Sequence, residues 1–226
     1  MSLFEGFDFA RVGELLLKGM WVTAQVTVLS LLIALVIGLL SCLMGISKIK
    51  PISWISKFYI WLIRGTPFIV QLFIIYFGIP QLISAIGVRG FKISAFAAAT
   101  VTLALNAGAY ISEIFRGAIN AVDVGQMEAA RSLGLSKTRA MAKVILPQAF
   151  RICIPSLCNQ FIITLKDSSL ASTISLQEIV YQGQQYAYST YKMFATYIMI
   201  GLAYLVVISI LSFAIRQIER RLNVGK

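Results

Sequence analysis

Histidine is absent from the 226 residues. That removes the commonest general base, the imidazole metal sites and every catalytic triad built on histidine. Cysteine is scarce. Cys42, Cys153 and Cys158 lie in or beside apolar runs without metal-ligand spacing. Cys153 and Cys158, five residues apart, point to different faces of a helix, so they read as packing residues and not as a disulfide framework. Acidic residues are few: nine Asp and Glu stand against twenty Lys and Arg, for a net charge of +11. No basic stretch has the interleaved aromatics or fold pattern of a nucleic-acid binder, so no such partner is expected. There is no G-x-x-x-x-G-K-[ST] phosphate loop, so any nucleotide that drives this protein is bound by another chain. Internal repeats and low-complexity tracts are lacking as well.

What is abundant is apolar sequence, at 58% of residues and arranged in long runs. This pattern places the chain in lipid, as one membrane domain spanning 1–226. Five segments approach the ~20 residues that a hydrocarbon core demands, at about 21–46, 58–79, 94–115, 152–174 and 193–215. Backbone groups in lipid must be paired within their own segment, so the fold class is an all-α bundle of about five transmembrane helices. Residues 1–20 carry Glu5, Asp8 and Glu14 and lack a basic signal-peptide start. The mildly amphipathic Phe9–Leu17 stretch is expected to lie flat on the membrane before the first span.

Orientation follows from the basic residues. With the N-terminus outside, thirteen Lys and Arg fall in cytoplasmic parts and five outside, while Arg64 and Lys166 sit within spans. That asymmetry predicts N-out and C-in, and an odd number of spans agrees. The longest connection, 117–151, is then cytoplasmic. It contains a short helix over Gln126–Leu133 stopped by Gly134, and a second helix capped by Ser136, carrying Met141, Val144 and Ile145 on its apolar face and ended by Pro147. A structured loop of this length serves to touch something.

The charged pair Lys166–Asp167 lies eleven residues past Pro155, roughly 16 Å along a helix and near the midplane. An unpaired charge there costs at least ~2.5–3.5 kcal/mol, so both groups should face the protein interior or a water-filled cavity. Two readings stay open. Lys166 and Asp167 hold the carboxylate and ammonium of a zwitterion, or they form a structural ion pair. Ser168 and Ser169 are placed to accompany a local break that turns both charges toward a pathway. On the third span Thr102, Asn106, Tyr110 and Glu113 form one polar stripe, which makes Asn106 and Glu113 candidate ligands. Glu113 is also placed to pair with Arg116 at i+3. Arg64 reads equally as a snorkelling anchor or a gating residue. Ser30, Ala34, Gly38 and Cys42 form a small-residue stripe that lets a neighbouring helix approach.

The cytoplasmic loop reads Glu128-Ala129-Ala130, then Gly134, then Val144-Ile145-Leu146-Pro147. This resembles the EAA signature of the permease subunits of bacterial ABC importers, with Val144 where that pattern has Ile. Arg64-Gly65-Thr66-Pro67 with Gln71-Leu72-Phe73, Asn106 to Tyr110, Glu113 to Gly117, Leu165 to Leu170 and the closing Arg216 to Leu222 are similar to the polar amino-acid branch of that family, in which Ser168 replaces a commoner Thr. The resemblance implies a type I importer fold in the bacterial plasma membrane, with a coupling helix carrying Glu128, Ala129, Ala130 and Gly134 that docks on an ATPase. It implies two ATPase subunits that hold ATP and Mg, a second permease chain, like or unlike this one, and an extracytoplasmic solute-binding protein. The chain itself would carry no cofactor and no covalent chemistry, and its cargo would be a polar amino acid. Lys166, Asp167, Asn106, Glu113 and Ser168 would be the substrate-binding residues. The alternatives are a gated pore without ATPase coupling, against which the loop spacing argues, and an intramembrane enzyme, against which the missing histidine argues.

Overall fold

A computed structural model describes residues 6–223, without the side chains of Ile218 and of residues 221–223. Glu5 and Lys226, which entered the reading of the termini, lie outside the described residues. Eight helices are present among the described residues: α1 Phe9–Gly45, α2 Lys50–Arg64, α3 Phe68–Ala85, α4 Ala95–Asn120, α5 Val124–Ser132, α6 Lys137–Ile174, α7 Ile179–Thr190 and α8 Met193–Asn223. Five of them, α1, α3, α4, α6 and α8, are long and apolar enough to cross a membrane.

The centre of the bundle is the packing of α1 on α4. A Cβ added to Gly38 would stand 2.6 Å from Ile111 Cγ2 and 3.0 Å from the Gly108 carbonyl, so only glycine allows this approach. Ser30, Ala34 and Cys42 share that buried face, and Ser30 Oγ donates to the Thr100 carbonyl at 3.1 Å. The small-residue stripe therefore joins these two helices by close van der Waals contact, the main attraction between helices in lipid.

Three local readings change. The Phe9–Leu17 stretch does not lie on the surface. It is the first two turns of α1, capped by Asp8, whose carboxylate accepts from the Arg11 N–H at 2.9 Å. Val12 and Leu16 are buried there against Ile179, Tyr186 and Ile200, because α7 and the start of α8 give this amphipathic segment a protein partner. The second span begins at Phe68 and not near 58, because Gly65-Thr66-Pro67 breaks the chain and leaves α2 as a separate amphipathic helix. Pro67 lacks the N–H that would continue the ladder. Gln71 Nε2 takes up orphaned acceptors at the break, the Ile63 carbonyl at 2.7 Å and the Thr66 carbonyl at 3.0 Å. Pro147 does not end a helix. It sits in the first turn after a π-turn at Met141–Ile145, and α6 runs on from the loop into the fourth candidate span.

The end of the bundle where α1 begins is packed by α7, an element not anticipated from its polar sequence. Gly19 of α1 lies against its first residue: an added Cβ would stand 2.7 Å from the Ile179 backbone. Glu178 caps α7, accepting from the Val180 N–H at 2.9 Å and the Tyr181 N–H at 2.7 Å, and the Tyr204 hydroxyl of α8 donates to it at 3.1 Å. The side chain is fully buried. Burial raises its pKa to about 7 in spite of the three donors, each of which favours the charged form.

Candidate functional site

Polar groups converge where the end of α2 meets α4 and α6. Arg64, Tyr110, Glu113, Ile114, Pro155, Ser156, Asn159 and Gln160 line an open cleft of about 550 Å³. The break after Arg64 positions that residue: α2 stops there, and its guanidinium reaches across to α4. It stands 5.3 Å from the Tyr110 ring centroid and 3.5 Å from the Glu113 carboxylate. Glu113 also accepts from Arg116 Nε at 2.9 Å, the expected i+3 partner one turn farther along α4. One carboxylate thus serves two guanidinium groups, and the cluster keeps a net charge of +1. The Arg64 side chain remains 44% exposed, so one face of a planar five-donor cation is open to the cleft.

The opposite wall comes from α6. Ser156, Asn159 and Gln160 recur at i, i+3 and i+4 and so share one helix face. Gln160 is buried and its Nε2 lies 3.4 Å from Thr164 Oγ1, while Asn159 is exposed. These three were not singled out from the sequence. The signal was present as a polar stripe in an otherwise apolar span, but the adjacent Lys166–Asp167 charges drew the reading away from it.

The sequence candidates separate. Glu113 lines the cleft. Asn106 does not: it is 8% exposed and donates to Gln71 Oε1 at 3.0 Å, tying α4 to the chain break. Lys166 is exposed and Asp167 half-buried, and among the described residues no ion pair joins them. Neither lines the Arg64 cleft; they stand about two turns farther along α6 than Gln160. Ser168 faces packing, fully buried with its hydroxyl donating to the Leu165 carbonyl at 2.7 Å. The helix does change character here, tightening to a 3₁₀ turn over Ser168–Ile174.

In the loop between α4 and α6 the four candidate coupling residues divide by face. Glu128 and Ala129 are exposed, whereas Ala130 is buried within the chain. Gly134 has φ +86 with open space around it. The Leu135 N–H bonds the Ala130 carbonyl and the Gly134 N–H bonds the Arg131 carbonyl, the paired bonds of a left-handed helix stop. Glycine is required here for its backbone conformation. Met127, Val144 and Ile145 pack with Ala118 and Val122, fixing α5 against the ends of α4 and α6.

The sequence pattern of the family described as binding-protein-dependent transport system inner membrane component matches residues 34–224. An arginine transport system permease protein of Bacillus subtilis is 40% identical over 92% of each chain. An L-cystine transport system permease protein of the same organism is 37% identical over 91% of this chain and 85% of that one. The solved structure of an amino acid ABC transporter with histidines is 41% identical and superposes with a TM-score of 0.87 over 92% of this chain and 94% of that one. A methionine ABC transporter in an inward-facing conformation, at 22% identity, shares the fold with a TM-score of 0.74 over 96% of this chain and all of the other. With the five spans and the polar cleft between them, this likeness identifies the chain as a member of the binding-protein-dependent transport system inner membrane components, the membrane-spanning permease of an ABC transporter.

Proposed function

We propose that the chain carries a polar amino acid into the cell, as one of two permease halves driven by two ATPase subunits. The observation that carries this reading is the cleft: a half-open guanidinium, a carboxylate, an aromatic ring and amide side chains meet between apolar spans, which suits a zwitterion with a polar side chain. The named relatives, which transport amino acids, support it. ATP and Mg belong to the ATPase chains, and an extracytoplasmic binding protein delivers the cargo. The N-terminus is outside and the C-terminus inside.

In this scheme Arg64 receives the substrate carboxylate and Glu113 the ammonium, exchanging part of their mutual pairing for substrate contacts. Asn106 keeps the α2–α3 break, and therefore Arg64, in place. Lys166 and Asp167, unpaired with each other, form a separate polar station farther out along α6, with Ser168 holding the turn beneath them. Glu128 and Ala129 meet the ATPase, Ala130 ties their helix to the bundle, and Gly134 terminates it. Closure of the ATPases shifts the permease between inward and outward access by acting on that helix.

The test is uptake of labelled amino acids into vesicles containing the permease, its ATPase and its binding protein. Accumulation against a gradient that requires ATP and binding protein is the expected result. Downhill flux without ATP would indicate a pore, and ATP-driven uptake that excludes all amino acids would refute the cargo.

A further inference from the structure

Helix α2 has a basic edge that extends beyond Arg64, away from the transport cleft. Lys50, Lys57 and Arg64 recur at seven-residue intervals, so they form one basic edge of the helix. Beside that edge Trp54, Phe58 and Trp61 are each more than 60% exposed. The remaining face is fastened down. Ser56 Oγ donates to the Ser41 carbonyl at 2.7 Å, Ser53 Oγ to the Gly45 carbonyl at 3.1 Å and Tyr59 Oη to the Leu105 carbonyl at 2.6 Å. The helix is therefore a fixed amphipathic element crossing α1 and α4 obliquely, with a basic margin and an aromatic face turned outward. Side chains of this kind sit at the headgroup boundary of a bilayer.

A second cleft, of about 400 Å³, opens along the basic edge between α1, α2 and α4. Lys57, Arg116 and Glu113 line it, with the hydroxyls of Ser41, Ser56 and Ser112. Glu113 already serves Arg116 and Arg64, and Lys57 has no ion-pair partner among the described residues. The cleft thus offers an unpaired ammonium and a net charge of +1 from Lys57, Arg116 and Glu113. Trp61 forms its rim and leads onto the exposed aromatic face.

We propose that this cleft binds the headgroup phosphodiester of an anionic phospholipid, whose acyl chains run along the Trp54, Phe58 and Trp61 face. The phosphodiester brings one negative charge and two acceptor oxygens, which match the unpaired ammonium of Lys57 and the net positive charge of the cleft. Basic clefts between transmembrane helices on the cytoplasmic side suit such headgroups. A choline headgroup would bring its own cation against Lys57 and gain less. Placement in the cytoplasmic leaflet rests on the N-out orientation proposed above. The lipid site itself does not.

The assembled transporter is purified into nanodiscs containing equal amounts of phosphatidylglycerol and phosphatidylcholine, then stripped gently and examined by native mass spectrometry. Phosphatidylglycerol should be retained in preference to phosphatidylcholine, and Lys57→Gln should weaken that retention about tenfold, the scale of one lost charge-assisted contact. Lys57 is exposed and outside the transport site, so the variant should assemble normally, as its melting temperature would confirm. Trp61→Ala should weaken retention of both lipids. Equal retention of the two lipids by the wild type, or a phosphatidylglycerol preference that survives Lys57→Gln, overturns the proposal. Nanodiscs have no sidedness, so either result stands apart from the orientation.

Discussion

Raising the pH should loosen the packing of α7 on α1 and α8 through Glu178. Its side chain is fully buried among α1, α7 and α8, and its pKa is raised from 4.5 to about 7. The folded state therefore binds this proton more tightly than the unfolded state does. Below pH 4.5 both states are protonated and the burial carries no ionisation cost. As pH rises through 4.5 to 7 the folded state must hold a proton that the unfolded state has released, and stability falls. Above pH 7 the full cost is present. The difference between 4.5 and about 7 corresponds to roughly 3 kcal/mol over the window. Glu178→Gln is neutral at every pH. It retains one acceptor oxygen where the carboxylate used two, so it should lose about 1 kcal/mol of capping at all pH values but show no such slope. The assay is thermal melting of the purified transporter from about pH 5 to about pH 8. The chain has no histidine, so no imidazole of its own titrates in this range, and contributions from partner chains cancel in the difference between wild type and variant. Parallel melting curves for the two proteins would refute the reasoning.

Gly38→Ala should destabilise the α1–α4 contact by about 1–3 kcal/mol, since its Cβ would meet Ile111 and the Gly108 carbonyl; an unchanged melting temperature would contradict the packing. Gly134→Ala should cost about 1–2 kcal/mol through the positive φ alone, and Gly134→Asn less, because nothing crowds the site; equal melting temperatures for all three proteins would count against that account. Glu113→Gln should lower ATP-driven uptake by roughly 10- to 100-fold while assembly persists, from loss of charge-assisted contacts worth about 1.5–3 kcal/mol. Lys166→Met should leave stability unchanged, because Lys166 is exposed and makes no ion pair with Asp167; a clear fall in melting temperature would show that it is paired in the assembly.

The spans were legible because apolar length is a nearly sufficient signal in lipid. The break at Gly65-Thr66-Pro67 was visible as letters, but nothing local said that it divides one apolar run into an oblique helix and a span. That depends on Tyr59, Ser53 and Ser56 finding carbonyls on two other helices. Pro147 misled for a related reason. Proline stops a helix from its interior yet is at home in a first turn, and the π-turn before it supplied a new start. At the site, Glu113 and its Arg116 partner were readable from i+3 spacing, whereas Arg64 joins them across 49 residues, which no local rule detects. Glu178 falls between two spans, where no local pattern marks it. Its burial follows from Gly19, which allows α1 within backbone contact of α7.

The continuity of α6 has a consequence for how a push on the loop would reach the cleft. Loop helix α5 is held to α6 by Met127 packing with Val144 and Ile145, and by the burial of Ala130. Gln148 reaches back toward Gln126 at 3.5 Å while bonding the Val144 carbonyl at 3.0 Å. From there a single helix runs to Ser156, Asn159 and Gln160, about 18 Å along at 1.5 Å per residue. A hinge at Pro147 would have absorbed a displacement of α5 before it entered the membrane. No break stands there: α6 stays helical through Pro155 at the edge of the cleft, and its Ala149, Cys153 and Leu157 pack beside α4, which is anchored to α1 by the glycine contact at Gly38. Both walls of the cleft therefore meet the loop, α6 by direct continuation and α4 through Ala118 and Val122, while Phe161 of α6 packs on the Leu31, Ala34, Ala107 and Ile111 group that joins α1 to α4. A push on α5 is accordingly expected to bear on both walls, with Arg64 following α4 through Glu113 and Tyr110.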